Sequence, residues 1–242
     1  AAAFGFGAGC AAVAVLIGAA VLPGTKPRAA TDPAALLDFR PVLRNRAAMA
    51  WIAGYTAHTW ELAALRAWGV TFLAAAIAAH GAPAWLPGAS LLFTAAGLAG
   101  IAVSVTGNEI AQRFGRARVV AAAMGAGAAL SLLAGWSLAV SAPLAALCVL
   151  AWNAAIYLDS SALTAGTVQA AARERRGATM GLHSMCGYAG GFLGPVGVGW
   201  ALDLAGPGPA GWALAFGHLA LVTLAGLAAV RRLGRPAHSA IP

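Results

Sequence analysis

Seven long apolar stretches, at about 1–22, 47–79, 84–106, 119–140, 142–170, 178–204 and 210–230, are joined by connections whose charge alternates. Of the 15 Lys and Arg residues, all but Arg66 lie in every second connection. They are Lys26, Arg28, Arg40, Arg44 and Arg46; Arg113, Arg116 and Arg118; Arg173, Arg175 and Arg176; and Arg231, Arg232 and Arg235. The intervening connections near 80–88, 138–143 and 203–210 hold neither residue type. Positive charge collects in cytoplasmic loops, so the pattern reads as a multi-pass chain with its basic loops and C-terminus in the cytoplasm.

Hydrophobic residues make up 61% of the chain and charged residues 9%, against roughly 25% charged in a soluble domain. A hydrocarbon core of about 30 Å takes about 20 apolar residues per helix, and every stretch reaches that length. The alternating polarity of a membrane strand is missing, so an all-α transmembrane bundle of about seven helices is expected. The net charge of +8 is explained by loop topology and does not call for a nucleic-acid partner. Cys10, Cys148 and Cys186 fall inside apolar stretches without CxxC spacing and read as small buried hydrophobes. No metal site or cofactor is expected.

Residue 1 is Ala, and no basic segment precedes the first stretch. Residues 1–22 therefore read as an internal helix of a longer protein and not as a signal peptide. The connection 23–46 carries Pro23, Pro27, Pro33 and Pro41 and reads as a broken cytoplasmic loop, with a short helix expected from Asp32-Pro33 to Phe39. The other connections are short, so successive helices are expected to be antiparallel neighbours. Residues 47–231 form a group of six spans, and 232–242 a cytoplasmic tail. Divided into two triplets, the six place Glu61 and Asp159 on the first helix of each half. These two helices cross in opposite directions, as an inverted repeat requires, and both carboxylates lie on the order of 20 Å from the basic belt at 1.5 Å per residue.

The second stretch contains Tyr55, His58, Glu61 and Arg66, which share an arc of about 140° at 100° per residue. Ala53, Ala57 and Ala64 lie opposite. A charged side chain at mid-bilayer costs roughly 2.5–3.5 kcal/mol on insertion scales, so such residues face a cavity or one another. Glu61 and Arg66 are five apart, which denies them an i,i+4 pair. Glu61 is the expected protonatable group, His58 its modulator, and Arg66 an anchor for an anionic or carboxylate-bearing solute. The alternative is an internal polar network that fixes the bundle. In the fifth stretch Asn153, Tyr157, Ser160, Ser161 and Thr164 form a polar stripe, with Asp159 on a different arc beside Trp152, Ile156 and Leu163. Asp159 is expected either to take part in substrate binding or coupling or to pair with a neighbouring helix end. The sixth stretch is crowded with glycine around Pro195, which suits close helix approach and a bending point. His183, near its cytoplasmic end, reads as a packing residue.

Lys26 is the sole lysine and completes no P-loop, and neither HExxH nor GxSxG occurs. No enzyme is expected.

The connection Gly107-Asn-Glu-Ile-Ala-Gln112-Arg113-Phe-Gly115-Arg116-Ala-Arg118 resembles the loop motif of the major facilitator superfamily, roughly Gly-x-Leu-Ala-Asp-Arg-x-Gly-Arg-Arg. Arg113, Gly115 and Arg116 match in register, while Gln112 stands at the motif's Asp and Asn108 at its first Gly. The resemblance implies that 1–22 is the last helix of an N-terminal half missing from this chain, 23–46 the central loop, and 47–231 the C-terminal six-helix half. It also implies a secondary transporter of the bacterial inner membrane, with Arg113, Gly115 and Arg116 in gating. Glu61, Asn153 and Tyr157 would then lie near the substrate path. The expected partners are membrane lipids, a small-molecule substrate, protons and the missing half. The rival reading is a non-transporting scaffold or assembly module whose intramembrane polar residues bind a partner subunit.

Overall fold

The computed structural model describes residues 2–22, 24 and 38–233; most of the short helix expected at 32–39 and the end of the tail lie outside them. The chain divides into two compact units, 1–36 and 37–242. The first contains helix α1 (Ala2–Val21), whose described side chains are almost all exposed.

The second unit opens with one short helix, α2 (Arg40–Arg44), that starts on Pro41 in its first turn. Six long helices follow: α3 (Arg46–His80), α4 (Ala89–Phe114), α5 (Arg116–Ser137), α6 (Ala142–Ala170), α7 (Arg176–Ala205) and α8 (Pro209–Leu233). A 3-10 turn at Arg173–Arg175 links α6 to α7, and the described residues contain no strand. Helices α1, α3, α4, α5, α6 and α8 are each long and apolar enough to cross a membrane, which makes this an all-α multi-pass bundle. The glycines of α7 lower its hydropathy. Its 30 residues nonetheless pack along α3 from Tyr55 to Trp68.

Local chemistry sets the helix ends. Asn45 caps α3 by accepting from the Ala48 amide at 3.1 Å, while its side-chain amide donates to the Ala170 carbonyl at 2.8 Å. One residue thus ties the start of α3 to the end of α6. Ser141 caps α6 through the Leu144 amide at 3.3 Å, with Pro143 in the first turn. Gly115 alone separates α4 from α5, at φ +93°, a conformation that a Cβ would strain. The segment expected as a loop is therefore mostly helix: residues 107–114 are the last turns of α4, because no helix breaker precedes Gly115.

Helix α3 is the hub and packs against α6, α7 and α8; α4 lies mainly on α6, and α5 on α6 and α8. Of the consecutive pairs, α5/α6 and α7/α8 pack against each other as expected from their short connections, whereas α3/α4, α4/α5 and α6/α7 touch far less. Glycine decides where helices come close. A Cβ at Gly190 would stand 2.5 Å from the Thr56 carbonyl oxygen, and one at Gly194 would overlap the Trp60 carbonyl. A Cβ at Gly107 would overlap the Leu158 carbonyl in the same way, where α4 crosses α6. In lipid, helices associate through such packing and through hydrogen bonds, because the tails are as apolar as the helices.

Two apolar cores result. One holds Phe72, Trp152, Trp212 and Phe216, whose rings meet at centroid distances of 4.9–5.3 Å. The other holds Trp51, Met124, Leu163, Leu227 and Val230. Each of α3, α6 and α8 passes from one core to the other, and each carries polar residues at the change: His58 and Glu61, Asp159, and Thr223.

Candidate functional site

The seam between the two cores collects the buried charge. His58, Glu61 and Asp159 are each 3% exposed, and Thr223 is fully buried. His58 Nδ1 lies 2.8 Å from Asp159 Oδ1, an ion-pair contact that is too misaligned for a straight N–H···O hydrogen bond. Asp159 thus pairs with a side chain in the middle of α3 and not with a helix end, because its arc turns it toward the hub helix. The two carboxylates assigned to separate triplets meet in one cluster, Glu61 lying one turn beyond His58.

Glu61 is held differently. The Trp152 indole N–H donates to its Oε1 at 2.5 Å, and the Thr223 hydroxyl donates to its Oε2 at 2.8 Å. Gly127 of α5 makes room for the carboxylate: a Cβ there would stand 3.2 Å from Oε1. Isolated buried carboxylates are costly, and two donors, one on α6 and one on α8, offset part of that cost.

Tyr55 connects the seam to the protein surface. Its ring stacks on His183 at 3.7 Å between centroids and faces His58 at 5.9 Å, both nearly parallel. His183 is buried, with Nδ1 3.2 Å from the Thr167 hydroxyl, so its packing role also places it beside the seam. The outer edge of Tyr55 lines a groove between α3 and α7 with a volume of about 680 Å³. Helix α3 adds Thr59 and Arg66, and α7 adds Ser184, Tyr188 and Phe192. Gly187 makes room for the Tyr55 ring, and Gly191 lies against Ala63, so no long side chain intrudes there. The Thr59 hydroxyl lies 2.9 Å from the Gly187 carbonyl and holds the two walls together.

Arg66 stands in this groove, exposed. Its Nη2 donates to the Tyr157 hydroxyl at 2.5 Å, and its Cζ lies 5.6 Å from the Tyr157 ring centre. Gly100 of α4 provides the slot in which Tyr157 sits: a Cβ there would stand 2.7 Å from the ring. The single arc read on α3 therefore splits. His58 and Glu61 point into the seam, while Tyr55 and Arg66 point into the groove.

The polar stripe of α6 splits too. Tyr157 reaches the groove through Arg66, but Asn153 is buried and donates to the Ala96 carbonyl at 2.7 Å. Ser161 meets Ser104 at 3.0 Å. Asn153 and Ser161 therefore join α6 to α4 and do not line the groove. At the basic end, Arg113 lies over the Phe114 ring at 5.5 Å, and Arg116 bonds Gln169 in the last turn of α6. Cys148 is buried and Cys186 half-buried, but Cys10 is exposed, against the expectation of burial.

Trp152, Thr223, Thr59 and Tyr188 were missed as site residues. Trp152 shares the Asp159 arc, so its proximity to the seam was legible although its Glu61 bond was not. Thr223 is a lone hydroxyl in an apolar helix, a weak signal. Among the described residues no cluster of metal-ligating side chains occurs.

Comparison of the chain with family models, with curated proteins and with solved structures returned no match.

Proposed function

We propose that the chain is the C-terminal six-helix half, with one preceding helix, of a secondary active transporter of the bacterial inner membrane that works by alternating access. One observation carries this reading. A buried acid–base cluster of His58, Glu61 and Asp159 lies one ring behind a mainly apolar groove that holds Arg66, and Tyr55 belongs to both. Ionisable groups at this depth are expensive and mark substrate or proton pathways. The cluster is where a coupling proton would sit, and the groove is where a small solute would bind. A change at the His58–Asp159 pair can reach the groove through the Tyr55 ring. In this reading Arg113, Gly115 and Arg116 serve the gating turn at the cytoplasmic side.

The test is uptake by proteoliposomes of the protein that contains this chain, over organic anions, amino acids and cations, with and without a pH gradient. Gradient-driven flux is expected, and Glu61→Gln or Asp159→Asn is expected to remove its gradient dependence. Gradient-driven flux unchanged in both variants would sink the coupling assignment.

A second reading has its own support. Both oxygens of Glu61 are already hydrogen-bonded within the bundle, as they would be in a structural network. A non-transporting scaffold or assembly module would use that network for rigidity alone. Absence of flux for every solute from folded protein would favour it.

A further inference from the structure

We propose that the groove between α3 and α7 binds a monoanionic solute with a flat apolar body, an aromatic carboxylate being the representative class. The inference rests on the transport reading only for the solute's fate; the binding itself stands on the groove.

Arg66 is the one charged side chain among the described residues that line the groove, and no carboxylate among the described residues pairs with it. Glu61, the nearest acid in sequence, is committed to Trp152 and Thr223 in the seam. Arg66 also lies deep in the span. Its Cα is 20 residues into α3, and its partner Tyr157 is midway along α6, 15 residues from its start and 13 from its end. A guanidinium at that depth needs a counter-charge or water, and the neutral Tyr157 hydroxyl supplies only one acceptor. Tyr157 does fix the fork, by a hydrogen bond and by its ring face, so the remaining N–H groups are pre-oriented for a bidentate acceptor.

The walls define the rest of the ligand. Tyr188 and Phe192 are i,i+4 on α7 and therefore share one face, 81% and 70% exposed. Tyr55, whose ring packs against Gly187, adds a third aromatic residue to the lining. A groove lined by three aromatic rings favours a flat ring. About 680 Å³ falls within the roughly 300–1,000 Å³ of small-molecule sites. A single positive charge balances a monoanion, whereas a dianion or a cation would leave net charge in the groove.

The experiment uses the chain in nanodiscs, with radiolabelled 2-naphthoate binding read by scintillation proximity. Competitors are 2-naphthamide, 2-naphthylmethylammonium and acetate. The acid is expected to compete at least ~10-fold better than the amide, the range of one charge-assisted hydrogen-bonded contact. The ammonium and acetate are expected to compete worst. Arg66→Gln is expected to weaken naphthoate by at least ~10-fold while leaving the amide unchanged. Tyr188→Ala is expected to weaken acid and amide together. Both positions are exposed, so the helical spectrum and monodispersity of the variants should match the parent. Equal competition by acid and amide, naphthoate binding that survives Arg66→Gln, or no binding at all would overturn the proposal. Binding without flux would sink the transport reading and leave this site standing. Flux of neutral or cationic solutes without naphthoate binding would do the reverse.

Discussion

The seam and the groove are built from the same helix face, within eleven residues of each other on α3, yet they obey different rules. In the seam, His58, Glu61 and Asp159 are almost fully enclosed, and every partner is another protein side chain. In the groove, Arg66 and Tyr188 are exposed, and Arg66 has a single neutral partner. Burial alone separates groups that are satisfied internally from a group that calls for something external. The lesson is that a shared helical arc does not define a shared site; the neighbouring helices divide it. Helices α6 and α8 close over one part, and the glycines of α7 leave the other open.

The sharpest way to break this contrast is to remove one member of the enclosed pair. His58→Leu leaves the Asp159 carboxyl buried without its partner, and a loss of about 3–5 kcal/mol is expected in reversible unfolding by denaturant. The double variant His58→Leu/Asp159→Leu should recover much of that loss; if it is no more stable than the single variant, the pair is not the reason. Next in size is Gly194→Ala. The added methyl would run into the Trp60 carbonyl backbone and push α7 away from α3. A loss of about 1–3 kcal/mol is expected, as for overpacking elsewhere, with groove binding impaired as well. Trp152→Phe keeps the ring packing but takes one donor from Glu61, for about 1–3 kcal/mol. A melt indistinguishable from the parent would mean that the 2.5 Å contact contributes nothing. The smallest effect belongs to the open region: Arg66→Gln should change stability by less than about 0.5 kcal/mol. A large loss there would place Arg66 in the structural class with His58.

How much of this was legible in the sequence depends on the kind of signal. Helix positions followed from apolar length and agree closely except for α4, which was read at 84–106 and runs from residue 89 to 114; α6 runs from residue 142 to 170 as read. Charge at the helix ends and the glycine face of α7 were equally local signals. Packing partners were only partly legible: α5/α6 and α7/α8 pack as their short connections suggest, but the contacts of the hub helix α3 with α6, α7 and α8 do not follow from connection length. Asp159 shows why. Its arc was read correctly as different from that of Asn153 and Tyr157, but only the placement of α6 against α3 shows that His58 waits on that side. Asn153 shows the converse: its polarity marked it for the solute path, and the nearness of α4 instead gave it the Ala96 carbonyl. The motif at 107–118 was read as a loop from its charges, yet nothing before Gly115 stops a helix, so only one residue turns.

The most direct test of the wet groove and dry seam is the reaction of single cysteines with a membrane-impermeant methanethiosulfonate. Ser184→Cys in the groove and Thr223→Cys in the seam would be compared in a background with Cys10, Cys148 and Cys186 replaced by alanine. The account predicts rapid labelling at position 184 and none at position 223 until the protein is unfolded. A position 184 that resists the reagent in a folded protein, as a lipid-facing surface would, or a position 223 that reacts as fast, would contradict it.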